Sequence, residues 1–527
     1  MTSTRDRVTA SALALSFGLL LLVGVSGPSA AKPPLSAPGW APGTLPWSPE
    51  PALVTGLLWC AYALGAGGVA LRLRSDGRIG RDRRVPAGWR DWALPVLLAA
   101  AALLTGPFGS ADHTNYAAYG RIAALGGDPY LTPPNAWPAS DPVTSLVEPP
   151  WTGTVSVYGP FATLLQAVAS HLGGDSQRQT VWAWQVVVVL SWLGVRAVLL
   201  RAGASPRRVD TLWTLNPLVF GIGVLGAHVD VVAGALAVAA LVVATRTPLA
   251  AGLLAGLATS CKVTYGVVGL AILAAWWTER REAIGWRDAV RGREAVGGRE
   301  AVGGREGVGW RAAGLALGAL VVAVPLHLWA GPHVFDQLDR ARRSISLATP
   351  WRLVYQGLTG PLPEGAARTV VSWSSVVLAL CLVVVLRRLT LPPDSATTDS
   401  ATIDGATTDG ATVDRVTAAA ARWALVLTTA YTLAAPYSLP WYDVLTWATL
   451  PLLAAGRLDT ILLVRLAALA VAYVPGRVVG MTPEVQRVTL EVRRRVVPYV
   501  VLGVWAWLSV AAARGWKRTS APRPPAP

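Results

Sequence analysis

The chain has 527 residues, of which 53% are hydrophobic and 14% charged, with a mean hydropathy of +0.45. A soluble protein carries about 25% charged residues, so this composition argues against a soluble multidomain enzyme. The net charge of +16 comes almost entirely from arginine. Most arginines stand in short gaps between apolar runs, as in cytoplasmic loops of membrane proteins, so no nucleic-acid partner is predicted.

The N-terminus contains an apolar run at about 9–27, which follows Arg5 and Arg7 and precedes "GPSAAKPP". This pattern fits either a cleavable signal peptide or a first membrane span. In both cases residue 30 lies outside the cytoplasm, so the predicted topology downstream is the same.

Apolar runs recur along the whole chain, and runs of about 17 to 20 residues are long enough to cross a bilayer as helices. We therefore predict an all-α polytopic membrane protein, a bundle of about 12–14 transmembrane helices with outer-face loops and interfacial helices. The short pair at 248–260 and 263–277 fits a bent hairpin or re-entrant element. The fourteen candidate segments are 9–27, 51–71, 91–108, 179–200, 211–226, 229–245, 248–260, 263–277, 312–330, 368–388, 416–435, 443–456, 460–475 and 497–513.

Arginines set the predicted orientation. The loop at 71–90 holds seven arginines, and cytoplasmic loops carry the excess of basic residues. Fourteen spans with both chain ends inside also place the arginines near 201–208, 387–388 and 457 in the cytoplasm. This topology puts residues 109–178 on the extracytoplasmic face of the cell membrane.

The predicted organisation is one large membrane domain, 31–513, after an N-terminal span or signal peptide, 1–30, and before a basic cytoplasmic tail, 514–527. Two low-complexity stretches, 285–310 and 392–415, interrupt the domain. Their repeats are too short and too polar to bury a face, so we interpret them as cytoplasmic linkers.

The stretch "GPFGSADHTNYAAYGRIAAL" places Asp112 within about one helical turn of the end of the predicted span 91–108. A carboxylate held there suits a general base that takes a proton from a hydroxyl. Asp is also a preferred N-cap, and the sequence fits a helix that starts near Tyr116. Both roles stay open.

His228 and Asp230 occur together at another predicted outer turn. Polar residues there are costly unless they serve a site. At this spacing the two side chains cannot face the same way on a helix, which argues against zinc. They are interpreted as hydrogen-bonding groups of an outer cavity, with exposed loop residues as the alternative. No metal site is predicted.

Lys262 is the only lysine within the apolar body of the chain. An unpaired lysine in hydrocarbon costs about 2.5–3.5 kcal/mol, so we expect it to face a polar cavity or an anion. The alternative is that its side chain reaches the membrane interface.

The predicted outer loop at 332–357 is basic against the usual rule, with Arg340, Arg342 and Arg343 close together. Guanidinium groups bind phosphate through paired hydrogen bonds, so these arginines are candidate phosphate ligands. Salt bridges, lipid headgroups or a different topology would also account for them.

Aromatic residues mark two further outer segments. Tyr158 begins "YGPF", which precedes a run apolar on one side and too short to span, as expected of a helix in the interface. Trp441 and Tyr442 lie in "AAPYSLPWYDVLTW". Sugar stacking and membership of an interfacial aromatic belt are the two interpretations.

The motif "SADHTNYAAYGRIAALGGDPY" resembles the first outer-loop motif of the actinobacterial polyprenol-phosphomannose-dependent mannosyltransferases, which are membrane glycosyltransferases of the GT-C class. The segments "VYGPF", "NPLVFGIGVLGAHVD", "GLLAGLATSCKVTYGVV" and "PYSLPWYDVL" follow in the order of that family. The resemblance covers roughly 90–450. Family members more often read His-Asn-Asp where this chain has Val229 between His228 and Asp230.

The resemblance implies a GT-C bundle, a catalytic base at Asp112 and a lysine near the donor phosphate at Lys262. It also implies a polyprenyl-phosphate sugar donor in the lipid bilayer and a glycan, lipid or protein hydroxyl as acceptor. Tyr116, Tyr158, His228, Asp230, Trp441 and Tyr442 are then candidate substrate-binding residues. Inverting displacement of a monophosphate needs one base and no covalent intermediate, metal or cofactor.

Two other functions share these sequence features. A multi-pass transporter or lipid flippase also places charged groups in membrane cavities, although the polar residues here cluster on the outer side rather than the midplane. A non-catalytic assembly scaffold is the third interpretation. Incubation of membranes with labelled polyprenyl-phosphate mannose separates sugar incorporation from sugar movement.

Overall fold

The protein is described here by a computed structural model, which covers residues 4–36, 39, 41–76, 88–291, 303–336, 344–390, 406–408 and 411–519. Helices dominate these residues. The single β-structure of any length among them is a hairpin of two three-residue antiparallel strands, β1 Ala406–Thr408 and β2 Ala411–Val413.

The helices are numbered in chain order. They are α1 Thr4–Val25, α2 Pro51–Asp76, α3 Ala93–Leu104, α4 Asp112–Ala124, α5 Pro160–Gly173, α6 Gln177–Arg201, α7 Pro206–Val209, α8 Pro217–Val219, α9 Val229–Val243, α10 Pro248–Cys261, α11 Val267–Arg291, α12 Gly303–Ala330, α13 Trp351–Leu358, α14 Glu364–Thr390, α15 Arg415–Ala434, α16 Val444–Thr449, α17 Arg457–Ala472, α18 Pro483–Glu491 and α19 Val497–Thr519.

Six helices of the described part are long and apolar enough to cross a membrane, or up to seven if one bent pair counts as a span. The all-α polytopic class is therefore confirmed. Several of the fourteen predicted segments form shorter helices, such as α3 with 12 residues and α10 with 14. At 1.5 Å per residue these cover about 20 Å, which is less than the roughly 30 Å of hydrocarbon.

The segments predicted as two separate spans, 211–226 and 229–245, form one sharply bent pair of helical segments. Pro217–Val224 and Val229–Val243 meet at 114°. Ala227 lies in the break with φ 55°, a left-handed conformation that is uncommon outside glycine. The break turns the chain sharply just before α9 and leaves His228 outside both helices.

Small residues bring neighbouring helices into close contact. On α2, Gly65 lies against Ser16 of α1, and the Ser16 hydroxyl donates to the Ala61 carbonyl at 2.7 Å. A Cβ on Gly252 of α10 would stand 2.1 Å from the Leu315 carbonyl oxygen of α12. Such close backbone approach is the usual packing of membrane helices.

Helix α1 is tied to the rest of the bundle beyond its last residue. Buried Lys32 donates to the Gly24 and Ser26 carbonyls, both at 2.7 Å, which satisfies carbonyls that the helix end leaves free.

The bundle has two ends of different composition. At one, which we call the site end, Gly106 donates to Gly24 at 3.0 Å and joins the end of α3 to the end of α1. At the other, the arginine end, Arg207 donates to Ser75 at 3.1 Å, beside the end of α2. Asp112 follows α3 and therefore lies at the site end.

The two predicted linkers are only partly covered. Helix α11 extends to Arg291 and α12 begins at Gly303, so both reach into the stretch 285–310. The hairpin of β1 and β2 lies within 392–415. The domain boundaries stay predictions.

Candidate functional site

Asp112 is the first residue of α4, at the site end of the bundle. The N-cap position is Ala111, so the interpretation of Asp112 as the cap is wrong. Its helix begins four residues earlier than expected, and the carboxylate is free to face the interior. The side chain is 14% exposed.

The loop before α4 is fixed by a close backbone contact. Gly109 has φ 83°, and a Cβ on Gly476 would lie 2.2 Å from the Gly109 carbonyl carbon. Gly109 is therefore required for its left-handed backbone, and Gly476 is required because a side chain there would collide with the Gly109 backbone. This contact places the start of α4 against the segment that follows α17.

Two tyrosines and a histidine surround the Asp112 carboxylate. Tyr116 hydrogen-bonds to it and is in turn hydrogen-bonded by Tyr158, whose ring meets the Tyr116 ring edge-on at 4.9 Å. The Nδ1 atom of His228 lies 3.5 Å from Asp112 Oδ2 and 3.4 Å from the Tyr116 hydroxyl. The carboxylate is thus held from two sides.

Burial raises the pKa of the Asp112 carboxyl to about 7. The charge of Lys262 and the hydrogen bond from Tyr116 oppose this rise, and the negative charge of Asp230 adds to it. A carboxylate with a pKa near neutral is a stronger base than an ordinary surface aspartate, and a substantial fraction of it is ionised at neutral pH.

His228 is held in the chain break before α9. Its ring stacks on Trp441 with centroids 3.7 Å apart and planes inclined by 13°. The indole of Trp184 donates to the Ala227 carbonyl at 2.8 Å, and Gln185 donates to the Val224 carbonyl at 2.9 Å. Helix α6 therefore fixes the turn that presents His228.

Lys262 lies between α10 and α11 with an extended backbone conformation. Its ammonium group is the positive charge of the site. Its Nζ lies 2.8 Å from Asp230 Oδ1 and 3.7 Å from the centre of the Tyr442 ring. Tyr265 donates to the Asp230 carbonyl oxygen at 2.9 Å. The Lys262 side chain is 14% exposed, so it is not fully enclosed by these contacts.

The structure brings together predicted residues from distant parts of the sequence into one cluster at the site end. The cluster comprises Asp112, Tyr116, Tyr158, His228, Asp230, Lys262, Trp441 and Tyr442. Arg340, Arg342 and Arg343 lie in 337–343, outside the described residues. Their assignment as phosphate ligands stays a prediction.

Sequence reasoning missed the residues that hold the cluster in place. Trp184 and Gln185 lie within an apolar span and carry no local signal of a role. Arg477 was not among the predicted site residues, but it forms an ion pair with both carboxylate oxygens of Glu148, at 2.5 and 2.7 Å, and also donates to the Lys32 carbonyl at 2.9 Å. These bonds join the segment after α17 to Glu148 and to the segment after α1 at the site end.

Metal binding has no support from side-chain geometry in the covered ranges. No group of three or more His, Cys, Asp or Glu residues is placed there to hold an ion. What the cluster offers instead is a carboxyl group of raised pKa, a partly exposed lysine and aromatic rings.

Comparison with known proteins adds two findings. The family described as alpha-(1->6)-mannopyranosyltransferase, N-terminal domain, matches residues 15–279, which include Asp112, His228 and Lys262 but not Trp441. A protein of Mycolicibacterium smegmatis named as a probable alpha-(1->6)-mannopyranosyltransferase is 32% identical over 145 residues. That match covers 26% of this chain and 24% of the relative, so it spans about a quarter of the relative's length. No solved structure matches.

Proposed function

Because this chain belongs to the alpha-(1->6)-mannopyranosyltransferase family, we propose that it transfers mannose within the membrane. The donor is polyprenyl-phosphate mannose, and the acceptor is a glycan hydroxyl. The observation that carries the proposal is the Asp112 carboxylate, partly buried and within the electrostatic reach of Lys262.

The reaction is a single inverting displacement. Asp112 takes the proton of the acceptor hydroxyl as its oxygen attacks the anomeric carbon. The bond from that carbon to the phosphate oxygen breaks, and polyprenyl phosphate leaves with the electron pair. Cationic groups stabilise the charge that grows on the leaving oxygen.

Lys262 is the described cation best placed for that role. Its ammonium group is paired with Asp230 and lies over the Tyr442 ring. A phosphate that reaches it gains a charge-assisted hydrogen bond from the remaining ammonium protons. The predicted arginines Arg340, Arg342 and Arg343 would add to this binding.

The site end is proposed to face the extracytoplasmic side. Support comes from the two ends of the bundle: the described arginines near the ends of α2 and α6, including Arg72, Arg74 and Arg201, stand at the arginine end. Basic residues concentrate on the cytoplasmic side of membrane proteins. A lipid-linked donor would reach the cluster with its tail in the bilayer and its head at the surface.

Replacement of the base tests the proposal. Asp112→Asn keeps the size of the side chain and removes its ability to accept a proton, so mannose transfer should fall by about 10²-fold or more. Membranes that contain the full-length protein are incubated with radiolabelled polyprenyl-phosphate mannose, and incorporation into glycan is measured at equal protein abundance.

Asp336→Asn is the matched control, because Asp336 is exposed and pairs only with exposed His333 among the described contacts. It should retain full transfer. An Asp112→Asn variant that is well expressed and active would contradict the proposal. Movement of labelled donor across the membrane without incorporation would favour the transporter instead.

A further inference from the structure

A cavity borders the Lys262–Asp230 pair, since Asp230 forms part of its lining. It is small and is lined by hydroxyl-bearing side chains together with the Asp230 carboxylate and a leucine. The lining residues are Asp230, Thr264, Tyr265, Thr428, Tyr431, Thr432, Tyr442 and Leu445. Hydroxyl groups in the apolar body of a membrane protein are costly unless they have hydrogen-bond partners.

Two polar atoms of the lining have no partner among the described residues. Asp230 uses Oδ1 to bind Lys262, but its Oδ2 atom is buried without a hydrogen bond. The hydroxyl of Thr428 is also buried and unpaired. A buried polar group without a partner costs about 1–3 kcal/mol, and more when charged, so a polar ligand that reaches both atoms gains their bonds.

The composition of the cavity fits one class of ligand. Carboxylate oxygens accept hydrogen bonds from sugar hydroxyls, and protein hydroxyl groups both donate and accept them. The Tyr442 ring offers an apolar face. The cavity also adjoins the site: Asp230 and Tyr442 belong to its lining and also contact Lys262.

We propose that this cavity is the hexose subsite, where Asp230 Oδ2 and the Thr428 hydroxyl bind hydroxyl groups on one edge of the transferred mannose. This inference rests on the proposed function and assigns that function's sugar specificity to α9 and α15. Because the cavity is small, only the edge of the ring enters it, and the anomeric carbon stays on the side of Lys262 and Asp112.

The test combines variants with altered donors. Thr428→Val keeps the shape of the side chain and removes its hydroxyl. In full-length protein we expect a loss of about 3- to 10-fold in kcat/KM for polyprenyl-phosphate mannose, as for one hydrogen bond. Donors that each lack one mannose hydroxyl identify the hydroxyl that Thr428 binds. The wild type should lose activity with one of these donors. Thr428→Val should lose little further activity with that donor, because its hydrogen bond is already absent.

Thr429→Val is the control, since Thr429 is the neighbouring residue on α15 and its hydroxyl contacts Thr446 at 3.3 Å outside the cavity. Tyr431→Phe is a second variant that keeps the ring, and a loss with it also supports the subsite. Unchanged kcat/KM for both Thr428→Val and Tyr431→Phe, in a wild type that transfers mannose, overturns the subsite and leaves the proposed function intact. A wild type that transfers no mannose overturns both.

Discussion

Asp112 shows how single side chains determine the chemistry of this site. Burial favours the protonated form of its carboxyl, while Lys262 and Tyr116 favour the ionised form. The pKa near 7 is the balance of these effects, so each neighbour shifts the pH at which the Asp112 carboxyl loses its proton.

Tyr116→Phe should move the pH profile of transfer to higher pH. A base works only when deprotonated, so the rate rises with pH through the pKa of Asp112. Loss of the Tyr116 hydrogen bond raises that pKa, and the half-maximal point rises with it while the high-pH plateau is largely kept. The measurement is kcat/KM against pH. Tyr119→Phe is the control, because Tyr119 donates to the Thr154 carbonyl instead; an equal shift in both variants would contradict the assignment.

Lys262→Met should destabilise the protein, because it leaves the buried Asp230 carboxylate unpaired. Breaking a fully buried pair costs roughly 3–5 kcal/mol, and less is expected here since Lys262 is partly exposed. The double variant Lys262→Met/Asp230→Leu should recover most of that loss. Thermal unfolding in detergent measures both; a double variant that melts as low as the single one would show that the pair is not the cause.

At the scale of elements, the short helices matter as much as the long spans. Helix α10 is too short to cross the bilayer, yet it carries Lys262 at its end and is fixed against α12 by glycines. The break before α9 lies between two predicted spans, and it contains His228. Irregular backbone in the membrane body is tolerated where protein surrounds it, which is the case for the buried residues of this turn.

Gly252→Ala should loosen the contact of α10 with α12, because its Cβ would lie 2.1 Å from the Leu315 carbonyl oxygen. We expect a lower melting temperature and reduced transfer, since Lys262 would shift. Gly269→Ala on α11 is the matched control, as nothing lies within 4 Å of its Cβ. It should leave stability unchanged or raise it by about 0.5–1 kcal/mol. Equal melting temperatures for both variants would argue against the contact.

The candidate site lies at one end of the bundle, and the arginines at the ends of α2 and α6 lie at the other. The proposed function requires that the donor phosphate and the catalytic base share one aqueous side, which is the site end.

Sidedness can be measured with single cysteines in a background where Cys60, Cys261 and Cys381 are replaced by alanine. Ser140→Cys, exposed beyond α4, should react with a membrane-impermeant maleimide added outside intact cells. Arg201→Cys, exposed at the end of α6, should react only after the membrane is opened. Labelling of both from the same side would rule out the proposed orientation.

The sequence by itself determined the class of the protein and the identity of most candidate groups. Low charge, long apolar runs and the segment around Asp112 were enough for the polytopic class and the mannosyltransferase family, both now confirmed. These features are local, since hydropathy and motif order need no knowledge of packing.

Only the tertiary structure decided which groups meet. Asp112, His228, Lys262 and Tyr442 are separated by tens to hundreds of residues, and no periodicity relates them. Their contact depends on helix ends, on a left-handed residue at Ala227 and on glycines that admit a second backbone. Such features arise from excluded volume between distant segments, which hydropathy does not record. The same packing supplies the burial that raises the pKa of the Asp112 carboxyl.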